Sequence, residues 1–151
     1  VIFSELMSDM SSNVPTAGAD KLRNSRKSVR NTVVDLGADE FTVGRPHPMI
    51  DYSLRKARIL EEARDPETAV ILLDVVLGYG SHPDPSAELA DVIGEASDAV
   101  PVICSVIGTR QDPQDRTLVE RELTDAGAIV TGTNAAACKM AGYLVKWIAQ
   151  R

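Results

Sequence analysis

Aromatic side chains are scarce: two Phe, three Tyr and one Trp make up 4% of the 151 residues. So few rings leave no set of stacking platforms for single-stranded nucleic acid. A basic surplus is lacking as well, because a net charge of -6 and a pI near 4.9 would repel a phosphate backbone. Nucleic acid is not an expected partner. No apolar run reaches the roughly 20 residues that span a bilayer, and residues 1–10 hold Glu5 and Asp9 without a basic n-region. Neither membrane insertion nor export is expected, and the expected location is cytoplasmic. The two cysteines, Cys104 and Cys138, form no Cys-x-x-Cys pattern, so they read as core thiols rather than as a redox or metal motif. No metal site is expected. A Gly-x-x-x-x-Gly-Lys-Ser/Thr loop is also missing, which leaves nucleotide hydrolysis by the chain alone without its usual phosphate cradle.

What is present is an Ala/Val/Ile/Leu-rich chain, long enough for one domain with an ordinary core. Its organising stretch is 69–85, an apolar run over 69–77 that empties into Gly78-Tyr-Gly-Ser-His-Pro-Asp-Pro85. The run reads as a strand covered on both faces. Gly78 and Gly80 allow positive φ and close approach of a ligand to the backbone. Asp74 is the one charge inside the strand, either a hydrogen-bonded structural group or a site residue.

Around this strand the pattern alternates. Residues 1–10 place apolar groups at 2, 3, 6, 7 and 10, a helical stripe. Lys21, Arg23, Arg26, Lys27 and Arg30 cluster in an acidic chain, as a solvated helix face or loop, or as an anion site. A short strand is expected at 32–36, a long loop through Gly44-Arg-Pro-His47-Pro48, and a helix from Asp51 or Ser53 to about Arg64. Further helices are expected over 86–96 and from Asp115, then from Asn134, with strands over 101–108 and 128–131. The organisation is thus an amino-terminal helix and basic connection, 1–31, followed by an α/β domain, 32–151.

Strands alternating with helices argue a parallel sheet with right-handed crossovers. Ligands of such sheets sit beyond the carboxyl ends of the strands. Those exits collect Gly44, Arg45 and His47; Gly78, Gly80, His82 and Asp84; Gly108, Thr109, Arg110 and Asp112; and Thr133 with Asn134. The glycines and Thr109 could present backbone donors to an oxyanion, and Arg45 and Arg110 could clamp a carboxylate or phosphate. His47 or His82 could act as general acid or base, with Asp74 a third catalytic candidate.

Three stretches carry a family resemblance: 35–51, Asp-Leu-Gly-Ala-Asp-Glu-Phe-Thr-Val-Gly-Arg-Pro-His-Pro-Met-Ile-Asp; 74–85, Asp-Val-Val-Leu-Gly-Tyr-Gly-Ser-His-Pro-Asp-Pro; and 108–114, Gly-Thr-Arg-Gln-Asp-Pro-Gln. They resemble the carboxy-terminal ligase-like domain of FdrA proteins, acyl-CoA synthetase-like relatives of the succinyl-CoA synthetase alpha subunit. The resemblance implies a three-layer flavodoxin-like fold (the succinyl-CoA synthetase domain type). It also implies a ligand such as CoA, a nucleotide or carbamoyl phosphate, and a role as one component of a CoA ligase or of oxamate carbamoyltransferase in purine catabolism. The implied partners are a small-molecule anion, other subunits of the enzyme and further copies of the chain. A truncated, non-catalytic ligand-binding or assembly module is the alternative. Succinyl-CoA synthetases carry a phosphorylated histidine within Gly-His-Ala-Gly, whereas 108–126 holds no histidine. The resemblance therefore gives no phosphohistidine role to His47 or His82. In the flavodoxin-like order the first strand lies mid-sheet, and residues 1–10 read as the helix that follows it, so the expectation is a sheet lacking its first strand. The expectation is that residues 1–10 rearrange, that the second and third strands pair directly, or that another chain fills the edge.

Overall fold

A computed structural model describes residues 2–150. Its elements, in chain order, are α1 (Ile2–Leu6), β1 (Met10–Ser12), β2 (Asp20–Lys21), β3 (Asn31–Val33), α2 (Asp39–Thr42), α3 (Ser53–Ala63), β4 (Ile71–Val76), α4 (Pro85–Ser97), β5 (Val102–Ile107), α5 (Arg116–Asp125), β6 (Ile129–Thr131) and α6 (Asn134–Ile148). The fold is α/β with two parallel three-stranded sheets, ordered β2-β1-β3 and β4-β5-β6.

Side-chain alternation along β4 and β5 builds three layers. Ile71, Val75, Val102, Cys104 and Val106 face α3, α4 and α5, where Ile59, Leu89, Ile93, Val119 and Leu123 close the main core. Fully burying a side chain such as Leu89 or Ile93 stabilises the fold by about 1.5–3 kcal/mol. Residues of opposite parity, Val70, Leu72 and Ile103, meet Ala137 and Ala141 of α6 on the other face. Small residues bring α6 in close, and a Cβ on Gly142 would lie 2.9 Å from Leu6 Cδ1 of α1. This is the flavodoxin-like arrangement, with a run of helices on one face and the terminal helix on the other.

Three expectations are corrected. The helix anticipated over 1–10 ends at Leu6 and Met10–Ser12 is a strand, because Asp9 takes φ 58° and breaks the helical path. Of the three alternatives for the amino end, direct pairing of the second and third strands does not occur, since β3 and β4 end separate sheets, β3 pairing with β1 and β4 with β5. The strand expected over 32–36 is shorter, 31–33, because Asp35 turns away to bond Asn13. β1 and β3 pair across the boundary drawn at 31/32.

Buried Asn13 then fixes the chain leaving β3. Its Oδ1 accepts from the Asp35 amide at 2.8 Å, while its Nδ2 donates to the Asp35 carbonyl at 2.8 Å and to Glu40 Oε1 at 3.1 Å. No helix among the described residues is long and apolar enough to cross a membrane.

Candidate functional site at the strand exits

Three loops converge at the carboxyl ends of the strands. The His82 amide donates to the Met49 carbonyl at 2.6 Å, which ties the loop after β4 to the turn over 44–50. Gln114 ties the loop after β5 to the same segment: its Oε1 accepts from Gly78 N–H at 3.0 Å, and its Nε2 donates to the carbonyls of Gly78 (2.9 Å) and His82 (3.1 Å) and to Ser81 Oγ (3.2 Å). A buried primary amide thus staples two loops, and Gly78, at φ 121°, adopts a backbone that only glycine takes readily. Gly108 is required for a different reason. A Cβ there would stand 2.7 Å from Leu77 Cβ and 2.9 Å from Asp112 Oδ2.

His82 is wedged rather than free. Its Nδ1 accepts from the Asp84 amide at 3.1 Å, which leaves the ring proton on Nε2, 4.0 Å from Glu88 Oε1. The ring also meets Tyr52 edge-on at 5.7 Å, and Glu88 Oε2 holds Lys56 Nζ at 2.6 Å. Burial pushes the Tyr52 phenol above its ordinary pKa, Arg55 pulls it back, and Glu88 adds to the rise. His82 Nε2 thus faces the Glu88 carboxylate, with the Tyr52 ring edge-on to the imidazole. His47 is exposed; its Nδ1 accepts from the Met49 amide at 3.2 Å, and its Nε2 packs over Gly37, 2.5 Å from where a Cβ would stand. The two histidines serve different turns.

Several anticipated site residues spend their hydrogen bonds on the fold. Asp84 caps α4 by accepting from Ala87 N, and Thr133 caps α6 by accepting from Ala136 N. Asp112 Oδ2 accepts the Thr109 amide at 2.5 Å and its hydroxyl at 3.2 Å. The Gly78 and Thr109 amides, expected as oxyanion donors, are therefore already taken by Gln114 and Asp112. Asp74 accepts from the Ser105 hydroxyl, and Asn134 Nδ2 donates to both its carboxylate oxygens at 2.8 and 2.9 Å. On the backbone of the same residue, Arg55 Nη1 donates to the Asp74 carbonyl at 2.8 Å. This network locks the start of α6 to the sheet.

Arg110, Gly80 and Tyr79 stay exposed at the exits. Arg45, which follows Gly44 at φ 74°, lines another space: a cleft of about 320 Å³ with Arg26 and Arg58, of which Arg110 is not part. The thiols do not offer nucleophiles. Burial pushes Cys104 up to about 12 and raises Cys138, with Asp74 adding to the latter rise. Among the described residues, no three His, Cys, Asp or Glu side chains gather into a metal-binding group.

Sequence reasoning missed Gln114, Tyr52, Lys56 and Glu88. Gln114 carried one faint signal, its place at the end of an exit loop beside Pro113. The other three come together only through helix packing.

Comparison with known proteins supplies a family. The CoA-ligase family model matches residues 5–144. The uncharacterized protein YahF of Escherichia coli (strain K12) is similar, with 38% identity over 133 residues, 83% of this chain and 26% of YahF. The chain thus spans about a quarter of that relative's length.

Proposed function

The chain belongs to the CoA-ligase family, and on that premise we propose that it is an FdrA-like, acyl-CoA synthetase-type domain. In this reading it binds an acyl or carbamoyl phosphate, or a CoA-type ligand, at the carboxyl edge of the β4-β5-β6 sheet. It serves as one component of a ligase or carbamoyltransferase, with oxamate carbamoyltransferase the specific case, and turns over only with partner subunits.

The observation that supports this reading is the convergence of three exit loops held by Gln114 and by the His82–Met49 bond. Loops fixed to one another at a sheet edge form a prepared surface, which lowers the ordering cost of binding. Since the Gly78 and Thr109 amides are engaged, anion contacts fall to Arg110 and to the backbone at Gly80. In this reading His82 Nε2 serves as the proton-transfer group, supported by its position 4.0 Å from Glu88 Oε1.

A second reading is a non-catalytic assembly module. It is favoured by the separation of the two sheets, because β3 and β4 both end a sheet with an edge that no described strand pairs. Thermal shift against CoA, ADP, carbamoyl phosphate, phosphate and oxamate separates the two. A ligand at a hundred times its Kd adds about 2.7 kcal/mol to stability. The enzyme-component reading predicts such a shift with CoA or carbamoyl phosphate, abolished by Arg110→Ala. A folded protein that none of the five ligands shifts would reject it in favour of assembly.

A further inference from the structure

The cleft that Arg45 lines lies between α2, α3 and the basic loop after β2, and it shares no lining residue with the loops after β4 and β5. Leu36, Phe41, Leu54 and Ala57 give it apolar walls, and Arg26, Arg45 and Arg58 give it three guanidinium groups. Two carboxylates, Glu40 and Glu61, also line it.

The hydrogen bonds show which charges are committed. Arg58 is fixed: Nε holds Glu62 at 2.5 Å, Nη1 the Ser25 carbonyl at 2.9 Å and Nη2 the Ser28 hydroxyl at 2.8 Å. Glu40 is engaged through both oxygens, with Oε1 accepting from Asn13 at 3.1 Å and Oε2 from Ser25 at 2.7 Å. The guanidinium groups of Arg26 and Arg45 differ from Arg58. Both residues are exposed, and neither guanidinium donates a hydrogen bond to a described residue, although each feels a carboxylate at longer range, Glu40 and Asp51 respectively. Two planar donor forks therefore stand beside an apolar wall, and such forks match a carboxylate bidentately.

Size narrows the ligand. At about 320 Å³ the cleft sits at the bottom of the range of small-molecule sites, roughly 300–1,000 Å³. It is too small for a whole nucleotide cofactor and large enough for a short chain with a charged head. We propose that this cleft is a second anion site, separate from the strand exits, that binds a small carboxylate with a short apolar stem. The head lies between Arg26 and Arg45, and the stem lies against Phe41 and Leu54. Glu61 repels a second negative charge on the stem, so a monoanion is preferred over a dianion.

The test is an amide-resolved NMR titration of the full chain with butyrate, acetate, succinate and inorganic phosphate. Butyrate is expected to give saturable shifts at residues 26, 36, 40–45 and 54–58, with Kd tighter than about 10 mM. Acetate and succinate are expected to bind several-fold more weakly. Arg45→Gln and Arg26→Gln, both at exposed positions, are each expected to weaken butyrate about tenfold, with the thermal midpoint retained. Arg110→Gln should leave butyrate unchanged. Absence of saturable shifts with butyrate overturns the proposal. So do shifts confined to residues 78–82 and 108–112, or equal affinity for butyrate, acetate and phosphate. Because CoA and carbamoyl phosphate are read at the exit loops, loss of this cleft site would leave the functional reading standing, and the reverse also holds.

Discussion

Gln114 grips Gly78 from both sides of its backbone, accepting from its N–H at 3.0 Å and donating to its carbonyl at 2.9 Å. One side chain thereby substitutes for the strand neighbour that a chain leaving the sheet has lost. Gln114→Ala would remove acceptor and donor together beneath a buried turn, and leaving such groups unsatisfied costs about 1–3 kcal/mol. The urea midpoint should fall accordingly. Gln114→Glu keeps an acceptor for the Gly78 amide but loses the donors to Gly78, Ser81 and His82. Its midpoint should lie no higher than wild type, and any ligand shift seen at the exits should shrink in both variants.

Glycine substitutions at the exits should divide sharply. A Cβ on Gly108 meets Leu77 Cβ at 2.7 Å, a contact between a strand end and a loop that neither can relieve by a rotamer change. Overpacking of this kind costs about 1–3 kcal/mol. Gly80 has nothing within 4 Å of where a Cβ would stand and no positive φ, so Gly80→Ala should leave the melting temperature unchanged. Equal melting temperatures for the two variants would mean that the β5 exit does not approach Leu77 as described.

The main sheet was legible because 69–77 and 101–108 are apolar runs bounded by turn residues, and the structure places β4 and β5 inside them, but β4 is not covered on both faces as read, since it lies at the end of its sheet and Asp74 is exposed. The helix cap was legible at Asp115, whose carboxylate accepts from Thr117 N, whereas Asp84, read as a site residue, caps α4 by accepting from Ala87 N. The amino-terminal third was not, because hydrophobic spacing says nothing of a single residue such as Asp9 entering the left-handed region. Asp51 or Ser53 was expected to cap α3; Asp51 accepts from Ser53 N at 2.8 Å, one residue earlier than a cap, Ser53 is the first helical residue, and Tyr52 takes the boundary position. The arginine cleft was hidden for another reason. Arg26, Arg45 and Arg58 are far apart in sequence and meet only when Arg58 reaches across to Ser25 and Ser28.

Asp74 is placed as a structural acceptor, and its variants should behave as such. Asp74→Ala deprives the fully buried Ser105 hydroxyl of its acceptor and Asn134 Nδ2 of both its acceptors. A loss of about 1–3 kcal/mol is expected in chemical denaturation. Asp74→Asn retains one oxygen for Ser105 and should recover part of it. A catalytic Asp74 would show the opposite profile, normal stability in both variants with turnover abolished in the reconstituted enzyme.

Thiol chemistry offers a check on core packing. With Cys104 fully buried and pushed up to about 12, almost no thiolate exists at pH 8. Cys138 is buried beside Asn134, whose Oδ1 lies 3.5 Å from its sulfur, and burial raises it too. Neither should react with an aromatic disulfide reagent in the folded protein, and both should react once urea unfolds it. Stoichiometric labelling of Cys104 in the native state would show that β5 is not covered on both faces.

The acid limb of stability should depend on Glu40. The Ser25 hydroxyl and the Asn13 amide donate to its carboxylate, and together with Lys21 and Arg26 they hold it below its ordinary value of 4.5. A carboxyl that binds protons less readily when folded contributes stability above its unfolded pKa, and that contribution disappears as pH falls through the folded value. Melting temperature should therefore drop as pH is lowered from about 5 towards 3. Glu40→Gln keeps an oxygen for one donor and has no proton to gain, so its profile should be flatter across that window and its stability lower at neutral pH. The sign is what discriminates: a carboxyl raised by desolvation would make the wild type gain stability on acidification relative to Glu40→Gln.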